Sequence, residues 1–390
     1  MSFGLTEAAA ILKNDYIGPI RSNLNNDKIL MSKIRKSSEE TVGEQVWLPL
    51  HSGRNSGVGA RAYNGTLPTA GSQQYKEAKF DTKNVYGRIK IYGKVIRATR
   101  SDKGSFLRAV KSEITGMVDD LGDDINRQLH TGSTGVISTI GAGANSATQT
   151  VDSTQYFFPG MVVTIFGIGD ATVESVTNDT TVVFTAIVNT GGGGQAIRRQ
   201  GVSTGEELQG LGEIVSNTGT IQGIDPGTPS GAFFKANVFG SDGAPVPLDE
   251  MDMEEAVDEA EKKGGKVDYV LTSYTGRREY YKLLQSQKRF PDTVTLKGGF
   301  KAVMFNDIAM VVDKHTKEDS VKTRMYFLSS QNLGHYRMAD FDWMQEDGAI
   351  LARIPGSAGE DAYEATLVYD AEFATDFRAA HSALLGVARS

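Results

Sequence analysis

The chain has 390 residues, 41 of them basic and 48 acidic, for a formal charge of −7, which excludes a strongly basic, histone-like binder of nucleic acid. AVILMFWYC residues make up 39%, and counting the 44 Gly in place of the 14 Tyr lifts the apolar share to roughly 47%, a globular value that excludes wholesale disorder and leaves room for two or three domains. The absence of cysteine removes disulfides, Cys-zinc sites, thiol nucleophiles and iron–sulfur ligation. No apolar run approaches the roughly 18 residues of a membrane span, and Met1–Glu7 lacks the basic-then-apolar pattern of a signal peptide.

Residues 1–45 hold a short apolar stretch, Ala8 to Leu12, and then turn polar. They offer little periodic apolar surface and read as an arm that lies on something else. Val46, Leu48 and Leu50 alternate as a strand does, His51 to Ser72 is too polar and Gly-rich to pack, and Tyr75 to Thr99 resumes strand character. The expectation is one long hairpin with a flexible tip. Because an isolated two-stranded ribbon is marginal in water, it should lie against another chain and not fold back on its own body.

Phe106, Val110, Ile114, Met117, Leu121, Ile125 and Leu129 form one stripe of a 3.6-residue period, predicting a helix over 105–130. Ser105 is its cap and Thr131-Gly132 its stop. Residues 136–205 change to Gly, Thr, Val and Ser, with strand-like runs at 161–166, 171–176 and 180–188, a small all-β module. Residues 206–330 return to mixed patterning. Asp249 caps a helix to about Lys263 and Ser273 caps a second, with strands at 267–271, 302–305, 308–312 and 325–328. Residues 333–377 read as two long strands around Pro355–Gly359, and 379–387 as a buried strand.

Motifs for chemistry are weak. No two of His51, His130, His315, His335 and His381 lie three to five residues apart, so no single helix or finger pairs them as ligands. Gly201-Val202-Ser203-Thr204-Gly205 matches the nucleophile-elbow string, but Arg198-Arg199-Gln200 precedes it, where the elbow needs a buried strand. Gly167-Ile168-Gly169 lacks the third glycine of a dinucleotide loop and a following helix. The acidic run Asp249–Glu255 is a solvated helix start. Arg97, Arg100, Lys103 and Arg108 cluster without the stacking aromatics of a single-strand binder, and are read as ion-pair partners within or between subunits. No cofactor or metal is expected.

The order of these pieces resembles the tailed-phage major capsid protein family, whose shared α+β fold is called HK-ninety-seven-like. The likeness is most specific from Val46 to Gly135, where a strand-loop-strand leads through Lys94-Val95-Ile96-Arg97-Ala98-Thr99-Arg100-Ser101-Asp102 into the helix ending Asp123-Asp124-Ile125-Asn126-Arg127-Gln128-Leu129-His130-Thr131-Gly132. The resemblance implies an N-terminal arm at 1–45, an extended loop hairpin at 46–83, and a peripheral domain from 84–135 and 333–377 with its spine helix at 105–130. It further implies an inserted β module at 136–205 and an axial domain from 206–332 and 378–390. Some members cross-link a loop Lys to an Asn on a neighbour; here residues 50–74 contain no Lys.

By resemblance, the chain is a non-enzymatic shell subunit that self-assembles as pentamers and hexamers into the icosahedral head of a double-stranded DNA phage. Its place is the virion capsid, assembled in the host cytoplasm. It encloses DNA without sequence-specific binding and without contact with a membrane. A separate scaffolding protein, a portal protein and a decoration protein are the partners implied. Val46, Trp47, Leu48, Tyr75, Arg97 and Arg100 are the expected inter-subunit contacts. An encapsulin-type compartment shell is the alternative, and a serine hydrolase using Ser203 the remote one.

Overall fold

The computed structural model describes residues 29–37, 41–42, 45–93, 103–142, 145–286, 293–295, 301–345, 352–353 and 361–389. In chain order these give helix α1 (Ile29–Lys33), strands β1 (Arg35–Ser37), β2 (Thr41–Val42), β3 (Gln45–Gly53), β4 (Gln74–Asp81) and β5 (Lys83–Tyr92), and the long helix α2 (Lys103–Thr131). Then come β6 (Val136–Thr139), β7 (Asn145–Thr150), β8 (Val162–Ile165), β9 (Gly169–Asn178), β10 (Thr181–Asn189), β11 (Ala196–Arg199), helix α3 (Leu211–Ile214), β12 (Asn237–Gly240), α4 (Glu250–Lys262), β13 (Tyr269–Thr272) and α5 (Tyr274–Ser286). The last strands are β14 (Thr293–Thr295), β15 (Lys301–Phe305), β16 (Ile308–Val312), β17 (Lys322–Leu328), β18 (Leu333–Trp343), β19 (Ala352–Arg353), β20 (Ala362–Thr375) and β21 (Ser382–Ala388).

Among the described residues the strands form four sheets. β20 is the middle of the first, with β5 along one side, β18 and β19 along the other, and β1 parallel to β18 at the edge. β5 runs antiparallel to β20 over its whole length, from Lys83 opposite Ala371 to Tyr92 opposite Ala362. The second sheet has the order β12-β21-β17-β13-β16-β15-β14, and β2-β3-β4 make a third. The fourth, β6-β11-β8-β9-β10-β7, lies entirely within Val136–Arg199. Its ends meet: Ile140 bridges Val151, and the Gly141 amide donates to the Thr150 carbonyl at 2.8 Å. The six strands therefore close into a small barrel around Ile137, Val163, Ile165, Phe184 and Ile197, which removes both sheet edges.

α2 has 29 residues, a rod of about 43 Å. Ile114, Val118, Leu121, Ile125 and Leu129 are buried on one stripe, as the period requires; the side chains of Phe106 and Val110 lie outside the described residues. The helix stops where Gly132 takes a φ of 114°, a left-handed C-terminal cap that glycine adopts without strain. α4 begins at Asp249, whose carboxylate accepts from the Met251 amide at 3.1 Å, and α5 at Ser273, whose hydroxyl accepts from the Gly276 amide at 3.2 Å.

Two expectations change. The ribbon is not continuous from 46 to 99: β4 ends at Asp81, and β5 leaves it to pair with β20. Val85, Ile89 and Ile91 alternate toward the core, and burying that face on the first sheet outweighs extending an isolated hairpin. The end of the arm also lies on its own chain, because Leu30, Met31 and Ile34 are buried in the main core and β1 pairs with Gly334–Tyr336. Residues 1–28, 38–40 and 43–44 of the arm and the Pro355–Gly359 turn lie outside the described residues.

The two large sheets are joined through residues 376–381. Arg378 is fully buried and faces backbone carbonyls: its Nε donates to Ile214 O at 2.8 Å, Nη2 to Glu213 O at 2.7 Å and Thr218 O at 3.1 Å, and Nη1 to Phe234 O at 3.4 Å. Burial lowers its pKa to about 10, so it remains charged near neutrality. Beside it, His381 is buried and neutral, pushed down to about 3 by burial. Its Nδ1 accepts from the Ser329 amide at 3.3 Å, which leaves Nε2 as donor to Thr375 Oγ1 at 3.1 Å. Arg378→Met would leave several carbonyls dry at about 1 kcal/mol or more each. We expect it to lower unfolding free energy by about 3–5 kcal/mol in urea titration, with Arg378→Lys recovering only part; a loss under about 1 kcal/mol would contradict this anchoring role.

Candidate inter-subunit surfaces

The β3–β4 ribbon has two unlike faces because strand side chains alternate. Val46, Leu48, Leu50, Ala78 and Phe80 are buried. Phe80 meets Tyr336 of β18 edge-on at 5.5 Å, the Lys79 amide donates to Gln222 O at 3.0 Å, and Lys76 Nζ donates to Ser230 Oγ at 2.9 Å. Gln222 holds this junction from a left-handed φ of 53°. The base of the ribbon therefore packs on its own chain, contrary to the sequence expectation. Val46 and Leu48 are corrected with it: their face is already covered intramolecularly, because their spacing directs both to the core.

The opposite face is open. Trp47 is 45% exposed and Tyr75 68% exposed. Lys79, directly across from Trp47, holds its Nζ 3.8 Å from the indole ring centre, a cation–π contact that stiffens the indole. Two pairs farther along the same face, beyond Pro49 and Glu77, His51 and Tyr75 face each other across the strands at 5.4 Å, and His51 Nε2 lies 2.7 Å from Gln73 Oε1.

Beyond Gly53 the chain makes a loop, 54–73, that is solvent-exposed along nearly its whole course. Val58 is 85% and Leu67 81% exposed, and Tyr63 is entirely so. The neck of the loop is pinched by Asn55, whose Oδ1 accepts from the Gly57 amide at 2.7 Å and whose Nδ2 donates to Gly71 O at 3.1 Å. A Cβ on Gly71 would sit 2.4 Å from Asn55 Oδ1, so the pinch needs glycine there. Tyr86 and Tyr92 on β5, Met338 and Met344 beside β18, and Phe158, Phe166 and Ile187 on the barrel are further exposed apolar side chains.

The remaining candidates separate. Arg97 and Arg100 lie outside the described residues, as do the side chains of Lys103 and Arg108. Ser203 is exposed on a turn after β11, and its amide donates to Glu206 Oε2 at 2.7 Å. The next helix, α3, begins eight residues on at Leu211, so strand, Ser203 and helix do not form an elbow. Gly167–Gly169 sit at the β8–β9 turn of the barrel. Among the described residues no group of His, Asp and Glu is arranged to hold a metal.

Sequence spacing missed one constellation, since its members are far apart in the chain. Asp123, Asn126 and His130 of α2 meet Asp313, Lys314 and His315 after β16. Asn126 Nδ2 donates to both Asp313 oxygens at 3.2 and 3.0 Å, the His315 amide donates to Asp313 Oδ1 at 3.0 Å, and His130 Nε2 is 3.4 Å from Asp313 Oδ2. Burial alone would raise the Asp313 carboxyl; the His130 ring and these donors outweigh it and hold it well below the usual carboxylate range. His315 Nε2 is 3.0 Å from Asp123 Oδ1, and its ring stacks on Tyr156 of the barrel at 6.0 Å. Tyr156 donates its hydroxyl to His315 O at 2.7 Å, and Gln155 Nε2 to Lys314 O at 2.6 Å. This is an internal joint that fixes barrel, helix and second sheet together.

No family model matches the sequence, and no curated protein matches it. Among solved structures the fold matches the capsid asymmetric unit of cyanophage A-1(L), at 13% identity and a TM-score of 0.58, over 92% of this chain and 93% of that one. It also matches the holo-SrpI encapsulin complex of Synechococcus elongatus PCC 7942, at 8% identity and a TM-score of 0.52, over 93% and 89% of the two chains. The capsid of an empty GTA particle matches at 9% identity and a TM-score of 0.51, over 92% and 89%.

If the Asn55 pinch orders the loop independently of the body, Asn55→Ala will speed proteolytic nicking within 54–73 several-fold while leaving the thermal midpoint unchanged. Unchanged nicking would show that the pinch does not order the loop. The likeness in architecture, over about nine-tenths of each chain, shows that this chain has the fold of tailed-phage major capsid proteins, a fold that an encapsulin also has.

Proposed function

We propose that the chain is the major capsid protein of a tailed double-stranded DNA phage, a structural subunit that self-assembles into the icosahedral head shell. The observation that carries this reading is the loop 54–73 with its neighbouring Trp47 and Tyr75. On a body of capsid fold whose cores are otherwise closed, this segment holds apolar side chains in water. Burying each of Val58, Tyr63 and Leu67 against a second copy contributes about 1.5–3 kcal/mol before the cost of association. Individually weak contacts of that size, repeated around a closed shell, allow subunits to exchange before the particle locks.

In this reading the ribbon base is the fixed end and the loop the adaptable end of the extended loop. The first sheet and α2 form the peripheral domain with its spine, the second sheet forms the axial domain that gathers around the local five- or six-fold axis, and the barrel is an insertion between them. Arg97 and Arg100 stay as inter-subunit ion-pair candidates. The net charge of −7 suits a wall past which packaged DNA slides without dense Lys/Arg contacts. Scaffolding and portal proteins complete the assembly in the host cytoplasm. The encapsulin match supports a second reading, a compartment enclosing a cargo protein; nuclease-protected DNA within purified particles separates the two.

Removing residues 54–73 and joining Gly53 to Gln74 through a short Gly-Ser turn is expected to leave a folded, soluble subunit, checked by circular dichroism, that builds no closed shells in negative-stain micrographs. Closed particles of normal size from this deletion would contradict the proposal.

A further inference from the structure

Residues 207–214 run from the barrel to the second sheet and cross the end of α2 at very short range. A Cβ on Gly210 would lie 2.6 Å from the Gly132 amide nitrogen and 2.7 Å from Gln128 O. The crossing is stitched by side chains. Gln128 Oε1 accepts from the Leu208 amide at 3.1 Å, Arg127 Nη2 donates to Glu207 Oε1 at 2.5 Å, and Glu213 Oε1 accepts from the Ser133 amide at 3.1 Å. On the other side stands Glu372 of β20, fully buried. Its Oε1 accepts from the Gln209 amide at 2.7 Å and from the Phe373 amide at 2.9 Å. Its Oε2 is buried with no partner, and so is Oε1 of the same Gln209.

Two buried acceptors without a donor, on residues already bonded to each other, are costly as they stand. We propose that Glu372 is a proton-operated lock: as a neutral acid it donates from Oε2 to Gln209 Oε1 and clamps residues 207–214 across the end of α2, and on losing that proton it releases them. The crossing links the barrel, the long helix and the second sheet, so its release loosens the joint on which their relative orientation depends.

The surroundings favour the neutral form. Burial is the dominant influence and pushes the carboxyl up to about 8. Lys83 at the start of β5 pulls it down and Glu213 of α3 pushes it up, both less strongly than burial, while the two backbone amides favour the anion. The direction of the pH effect follows. The folded crossing holds a proton that the opened, wetted chain gives up above the ordinary glutamate value of about 4.5. Protection of the crossing is complete below that value, declines by about tenfold per pH unit as pH rises toward 8, and levels off above it.

The test is amide hydrogen exchange of Leu208 and Gln209 in the full chain across pH 5 to 9, corrected for intrinsic exchange. The parent is expected to lose protection at about tenfold per pH unit, and Glu372→Gln, whose amide can donate to Gln209 Oε1 at any pH, to show a flat profile. Equal slopes in parent and variant, or no slope in the parent, would overturn the lock. If Glu372→Gln does not fold, infrared difference spectra of the parent decide the matter. A protonated-carboxyl band present at pH 6.5 and gone at pH 9 supports the lock, and its absence at pH 6.5 rules it out.

Discussion

The last turns of α2 are the constraint on which the rest of the structure depends. Within them Asp123 and Asn126 hold the connection after β16, Arg127 and Gln128 hold residues 207–208, and Gly132 yields to Gly210. Barrel, second sheet and first sheet therefore take their positions from one helix end. That arrangement is demanding: Arg127 is buried between Asp124 and Glu207, and removing it would leave Glu207 buried without its cation. The return is geometric specificity, since hydrogen-bonded buried charges tolerate few alternative packings.

A rigid hub explains why adaptability is confined elsewhere. The ribbon is tied down on one face through Val46, Leu48 and Phe80, while Trp47, Tyr75 and loop 54–73 remain outside. A subunit that must meet neighbours in inequivalent surroundings benefits from this division, because the ordering cost of the loop is met only where a partner covers it. Burial favours the neutral form of two separate groups flanking the joint between the sheets, pushing Glu372 up and His381 down.

Local periodicity made much of the fold legible. The stripe Ile114–Leu129 identified α2, Asp249 and Ser273 marked the starts of α4 and α5, and the Gly/Thr/Val composition marked the barrel. The short strands β6, β7, β11 and β12 went unseen because four to six residues flanked by glycine carry little pattern. Strand alternation by itself did not show the break at Thr82, because β4 and β5 both alternate and only the partner strand β20 decides where the ribbon ends. The joint of His130, Asp313 and His315 was out of reach for the same reason: its members lie far apart in sequence. For the surface, strand alternation misled at Val46 and Leu48, where apolar character signalled the chain's own core and not a neighbour.

The most direct test is hydroxyl-radical footprinting of Tyr63 and Tyr75 in dispersed subunits and in assembled particles of the same preparation. Both tyrosines are expected to label strongly in the dispersed chain and to be protected in the particle. Equal labelling in the two states, with closed particles present, would contradict that expectation.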